Sequence, residues 1–298
     1  MTVTDDIAST LLGKKIEGLN SYTPSILVAI PRNDNRQKYK IQNDNLPFNG
    51  FDIWHCYEFS ALTENNLPVT RVLKLRYMAD SPFIIESKSL KLYLNSFNFS
   101  NFGRSSEECL KICKRIIEKD LSEKLQTVVE VNFFDNEIKK TEIFENFDNI
   151  MNFAEEKDLK IDKFKETPEL IEIIQNDKIQ EHYLKFDSLR SNCRVTHQPD
   201  FGDCFIYYQS SKHILESSLI KYLVSFRNEF HFHEECCEMI YKRLYDLLDK
   251  DDKLMVCALY TRRGGIDITP VRYSKGLQFD DLNKIYEINN FARCGIKQ

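Results

Sequence analysis

A polar loop, Ser191-Asn192-Cys193-Arg194-Val195-Thr196-His197-Gln198-Pro199-Asp200-Phe201-Gly202-Asp203, is the most chemically unusual stretch of the chain. It precedes a strand-like run, and functional groups concentrate on loops of this kind. A thiolate at Cys193 is a strong nucleophile once its pKa is lowered. Asp200 follows seven residues on, beyond a proline that can turn the chain back. An ionised carboxylate would raise the thiol pKa, so the pair could work as a nucleophile and a protonated donor. A buried loop cysteine beside an Asx turn accounts for the same residues without chemistry.

Three further clusters carry possible function. In Glu229-Phe230-His231-Phe232-His233-Glu234-Glu235-Cys236-Cys237, His233 and Glu234 open a helix and would project into an adjoining cleft. A carboxylate there accepts two parallel hydrogen bonds, which suits a planar amidine-like edge such as that of guanine. Acids favoured by the helix dipole explain the same residues. Zinc held by His231, His233, Cys236 and Cys237 is a third option, although the usual Cys-x-x-Cys spacing is absent. In Glu86-Ser87-Lys88-Ser89-Leu90-Lys91-Leu92-Tyr93, Lys88 and a hydroxyl could hold a phosphate, or the stretch is a solvated strand-to-helix junction. Arg262-Arg263-Gly264-Gly265 suits a phosphate approaching the backbone, and equally a hairpin turn with charged flanks. The Rossmann and P-loop glycine patterns are both absent.

The elements that must position these groups repeat. Ile85-Glu86-Ser87 is echoed by Leu215-Glu216-Ser217, Ser96-Phe97-Asn98 by Ser225-Phe226-Arg227, and Glu107-Glu108-Cys109 by Glu234-Glu235-Cys236. The offset drifts only from 130 to 127 (215 − 85 and 234 − 107). Residues 51–62 and 69–78 read as a hairpin around Glu64-Asn65-Asn66. Ser105 opens a helix with Glu108 at capping-box spacing, and Leu110, Cys113, Ile116 and Ile117 recur at helical period. Residues 127–134 alternate like a strand. In the second half, 205–208 reads as a strand, 216–226 and 233–248 as helices, and 254–260 with 266–273 as a hairpin. Each half therefore reads as strand, strand, helix, helix, strand, strand. The charged stretch between them, 142–180, reads as a partly helical linker.

With 298 residues, each half is long enough for a real core. The net charge of -5 lacks the basic footprint of a nucleic-acid binder. Asp5 and Asp6 near the start, and the absence of a long apolar run, argue against a secretory signal or a membrane span, so a cytoplasmic protein is expected. Nine cysteines cannot all pair within the chain, and in the cytosol most should be reduced core residues.

The four clusters together resemble the two-domain form of the queuosine-pathway nitrile reductases, the 7-cyano-7-deazaguanine reductases of the tunnelling-fold superfamily. Residues 86–93 match that family's Glu-Ser-Lys-Ser-x-Lys-x-Tyr signature. Cys193 with Gln198-Pro199-Asp200, Phe232-His233-Glu234, and Arg262-Arg263-Gly264-Gly265 match the rest, in order along nearly the whole chain. The resemblance implies an α+β fold of two tandem tunnelling-fold (T-fold) domains, antiparallel sheet with paired helices on one face. The signature domain would span 1–141, the linker 142–180 and the catalytic domain 181–298. It explains the repeat as a duplication in which each copy kept different chemistry: Ser217-Ser218 lacks the signature lysine and Ser106-Glu107 lacks the His-Glu pair.

The resemblance further implies catalysis by Cys193, Asp200 and His233. Substrate would be held by Ile85, Glu86, Ser87, His233 and Glu234, and NADPH by Ser87, Lys88, Arg263 and Gly264, with Arg262 an alternative to Arg263. Cys193 would add to the nitrile to give a thioimidate, with Asp200 delivering the proton. Two NADPH per turnover would then yield the aminomethyl product, without metal. The partners implied are the deazapurine substrate and a second copy of the chain as a homodimer, with no direct nucleic acid and no membrane. A zinc-dependent cyclohydrolase of the same superfamily and a non-catalytic purine-binding module are the competing functions. Cys236, three residues after His233, is a candidate for a protective disulfide with Cys193 under oxidation.

Overall fold

The computed structural model describes residues 21–155 and 159–297; Asp5 and Asp6, which bear on the expected lack of a signal, lie outside the described residues. Strands β1 (Asn49–Leu62) and β2 (Pro68–Met78) form the expected hairpin, with Asn66 at φ 64° in its turn. Helices α1 (Ser87–Asn95) and α2 (Ser106–Leu125) follow, then β3 (Val129–Phe134). The second half runs β4 (Ile173–Cys193), β5 (Pro199–Ile214), α3 (Glu216–Val224), β6 (Phe230–His231), α4 (His233–Leu247), β7 (Lys253–Tyr260) and β8 (Ile266–Tyr273).

These strands share one sheet in the order β6-β4-β5-β7-β8-β1-β2-β3. Neighbours are antiparallel except β6 with β4. The two halves meet at β8 and β1, paired from Ile266 with Cys56 to Tyr273 with Asn49.

Strand alternation divides the core. On one face, α1 and α2 bury Leu90, Cys113, Ile117 and Leu121 against Leu73, Leu75, Val129 and Val131. On the same face, α3 and α4 bury Leu219, Leu223, Ile240 and Leu244 against Leu184, Ile206 and Val256. The opposite face presents Phe51, Ile53, Phe205, Met255 and Cys257.

The duplication extends to individual hydrogen bonds. Ser89 and Ser218 each donate Oγ–H to the carbonyl three residues back, at 2.7 Å, and accept from Val28 and Glu172 N–H respectively. Ser96 and Ser225 do the same for Thr23 and Thr167. Each of those threonines precedes a proline that opens a single 3-10 turn, Pro24–Ile26 in one half and Pro168–Leu170 in the other. This Thr-Pro correspondence is visible in the sequence but has an offset of 144 (167 − 23), outside the range of the other echoes.

Two expectations change. Residues 142–180 hold no α-helix among the described residues. They carry two 3-10 turns, a short pairing of Asp148–Asn149 with β4, and the start of β4 at Ile173. The hydrophobic residues dispersed among its charges are the reason: Ile143, Phe144 and Phe147 cover the opposite face together with Leu282 and Ile285 of the helix Asp280–Tyr286, and Phe144 is stacked on Phe205 at 4.4 Å. The first half also contributes three strands to the sheet rather than four. Its last segment, Thr141–Glu142, pairs instead with Ala292–Arg293. Phe144→Ala should therefore cost about 3–5 kcal/mol of stability. Urea unfolding measures it, and a loss within ~0.5 kcal/mol, as for an exposed linker residue, would show that the segment is not core.

Candidate active site

A cavity of about 330 Å³ opens where the halves meet, and both line it. Ile85, Ser87 and Lys88 come from the first half; Cys193, Asp200, His233, Glu234, Arg263 and Gly264 come from the second. Every expected site residue except Glu86 lines this one cavity.

Cys193 ends β4, where its N–H donates to the Gln198 carbonyl at 2.8 Å and its carbonyl accepts from His197 at 2.9 Å. That tight turn includes His197 at φ 56° and brings Asp200, the second residue of β5, back to the same cavity. Lys88 Nζ donates to Cys193 Sγ at 3.3 Å. Burial works to raise the thiol pKa, but Lys88, with hydrogen bonds from Thr196 and Val195, outweighs it, so the pKa is held below the ordinary cysteine value. Lys88, the expected phosphate contact, thus also lies against the nucleophile candidate.

Asp200 corrects the expected protonation. It is buried, paired with Arg263, and lies 3.3 Å from His233 Nε2. Burial pushes its pKa up, but His233 and Arg263 pull it further down, below the usual aspartate range. Asp200 therefore rests as a carboxylate, not as the protonated donor inferred from spacing. Arg263 and His233 together outweigh the desolvation. His233 lies flat on the Tyr260 ring, with centroids 3.7 Å apart, which fixes its plane.

Glu234, the second residue of α4, is buried at the cavity wall, and its Oε1 has no hydrogen-bond partner. Burial first, then the charge of Asp52, pushes it up to about 8. Glu86 is engaged otherwise. It is the N-cap of α1, accepting from Lys88 N–H at 3.0 Å and Ser89 N–H at 2.7 Å. The cap fixes the turn that aims Ser87 and Lys88 into the cavity.

Arg262 and Arg263 differ in side-chain direction. Arg263 lines the cavity, whereas Arg262 stacks on Tyr57 at 3.4 Å. Gly264 and Gly265 take φ 57° and 80° in a two-residue turn closed by Arg263 and Ile266. A Cβ on Gly265 would meet the Glu58 carboxylate carbon at 2.4 Å.

Sequence reasoning missed several wall residues. Trp54, Ile266 and Ile268 supply apolar surface, and their strand alternation was the available signal. His231 also lines the cavity, and its backbone pairs with Cys193. Burial opposes its charge, but Glu229 and Glu235 raise it to about 9, so it is cationic at neutral pH. Cys236 is fully buried, and its thiol is pushed up to about 12, chiefly by burial. All nine cysteines are free thiols. Among the described residues no three His, Cys, Asp or Glu side chains group as a metal set, and no helix is long and apolar enough to cross a membrane.

An activated thiol, a carboxylate–imidazole pair and an unpartnered buried carboxyl group share one cavity, the kind of grouping found in enzyme sites. The comparisons with known proteins are specific. Residues 19–133 match the family described as "Nitrile reductase, 7-cyano-7-deazaguanine-reductase N-term", and residues 199–278 match "QueF-like protein". Two proteins named "NADPH-dependent 7-cyano-7-deazaguanine reductase", from Colwellia psychrerythraea and Acinetobacter baylyi, are each 38% identical to this chain. Each match covers 90% of this chain, and 93% and 94% of those proteins respectively. The chain belongs to the 7-cyano-7-deazaguanine reductase family of nitrile reductases.

Lys88→Met should move the pH midpoint of Cys193 alkylation by iodoacetamide upward. An unmoved midpoint would remove Lys88 from the activation of the thiol.

Proposed function

We propose that the chain reduces the nitrile of 7-cyano-7-deazaguanine to the aminomethyl group with two NADPH, through a covalent thioimidate on Cys193, in the queuosine pathway of tRNA modification. The observation that carries this is the cavity itself: a lysine-paired thiol and an unpartnered Glu234 carboxyl group share it. Support for the halves being two tunnelling-fold domains is their shared hydrogen-bond pattern and their shared order of elements. A cytoplasmic homodimer is the assembly proposed with it.

Glu234 holds the donor edge of the deazaguanine, with the Ile85–Ser87 backbone on the other side of the cavity and Trp54 as apolar wall. Cys193 sulfur bonds to the nitrile carbon and one C≡N π bond breaks. The thiol proton goes to Asp200, the resting carboxylate, which returns it to the nitrogen, with His233 as its partner in proton transfer. No electron leaves or enters in this step. The residues present fit NADPH: Lys88 and Arg263 are cations at the cavity, Ser87 offers a hydroxyl, and Gly264 has no side chain to obstruct a close approach. When bound, each NADPH supplies one hydride, and the four electrons of nitrile reduction require two. After the first reduction Cys193 leaves as thiolate, which Lys88 stabilises. The enclosing wall of Trp54, Ile266 and Ile268 keeps water from the imine.

Absorbance at 340 nm with 7-cyano-7-deazaguanine tests this. Two NADPH should disappear per nitrile reduced, and Cys193→Ala should consume none. One NADPH per substrate, or an active Cys193→Ala, would refute the mechanism; no oxidation by the folded wild-type protein would refute the function.

A further inference from the structure

One helical turn beyond Glu234, Glu238 belongs to a buried cluster at the seam of the halves that the proposed chemistry does not use. Arg272 of β8 donates to Glu238 Oε1 at 2.9 Å and to Asp52 Oδ1 of β1 at 2.8 Å. Arg32 donates to Asp52 Oδ2 at 2.5 Å, and its guanidinium lies 3.5 Å from Glu238. Arg36 forks onto Glu238 at 2.7 and 2.8 Å. All five residues are 4% exposed or less. The ion pairs of Arg32, Arg36 and Arg272 run to two carboxylates, Asp52 and Glu238, so these five residues together carry one excess positive charge. Buried charge without a counter-ion is costly, and Glu234 balances it once it ionises.

We propose that this cluster sets the charge of Glu234, with Asp52, Glu238 and Arg272 as positioning residues that make it a switchable clamp for the donor edge of the substrate. The inference rests on the proposed role of Glu234 in holding that edge. The groups whose charge acts on Glu234 are Asp52 from β1, Tyr77 from β2, Arg272 from β8 and Arg32 from the segment before β1, with Glu238 one turn along its own helix. Burial and Asp52 oppose ionisation, while Arg32 and Arg272 favour it. In the free protein Glu234 is therefore protonated at neutral pH. A paired N–H edge stabilises the carboxylate. On binding, the Glu234 O–H bond breaks, the proton leaves to solvent, and N–H···O bonds replace it. Ligands lacking the donor pair cannot drive this exchange and are rejected.

Trp54, the sole tryptophan, lines the cavity and reports binding by fluorescence. In a Cys193→Ala background, where no covalent step follows, affinity for 7-cyano-7-deazaguanine should rise about tenfold per pH unit up to a limb and then level off. Asp52→Asn and Glu238→Gln each remove a negative charge and should move the limb to lower pH; Arg272→Met should move it to higher pH. Melting curves establish which variants fold, and the two acid variants substitute for each other. Calorimetry of the background protein in two buffers of different ionisation heat needs no cluster variant, and should show up to about one proton released near neutral pH. Uniform loss of affinity with an unmoved limb, limbs moving the same way for acid and base variants, or no proton release would overturn the proposal. Absence of binding at every pH would overturn the function instead.

Discussion

Arg272 has no exposed surface, yet it carries a full charge between two carboxylates from different parts of the chain. It can be there only because β8 lies in register beside β1, which makes one sheet of two halves. The same register brings the end of β4 and the start of α4 opposite α1. Remove the seam, and Lys88 no longer reaches Cys193, nor does Asp52 reach the surroundings of Glu234. Each half alone has a helix-covered sheet; neither alone has the site.

Burial then sets the chemistry. Within one cavity, desolvation raises Glu234 to about 8, while nearby cations keep Cys193 and Asp200 below their ordinary values despite the same desolvation. The difference lies in partners. Cys193 has Lys88, and Asp200 has Arg263 and His233, whereas Glu234 shares its arginines with Asp52 and Glu238. A separation of this kind lets neighbouring groups act as nucleophile, base and hydrogen-bonding clamp at one pH.

Much of this was legible in the sequence, for identifiable reasons. The helices and hairpins follow from strong periodicity, and the repeat of Glu-Ser and Glu-Glu-Cys pairs marked α1 against α3 and α2 against α4. The loop from Ser191 and the start of α4 stood out because polar, turn-forming and chemically active residues coincide there. The 142–180 stretch misled because its charges are evident and its core residues, Ile143, Phe144 and Phe147, follow no period. The ionisation of Asp200 and the position of Lys88 were out of reach because both depend on contacts 63 and 105 residues apart. The seam cluster was invisible for the same reason: Arg36 and Glu238 are separated by 202 positions. Glu86 was legible as part of a motif, but its capping geometry appears only once α1 is in place.

Covalent attack by Cys193 is the claim on which the proposed chemistry turns, and intact-protein mass spectrometry reads it directly. Mixing the protein with 7-cyano-7-deazaguanine, without NADPH, should add the whole mass of one substrate, because addition of a thiol across a nitrile expels nothing. The adduct should map to Cys193, be absent in Cys193→Ala, and disappear when NADPH is supplied. An unmodified mass under conditions where the same sample turns over with NADPH would contradict the covalent route.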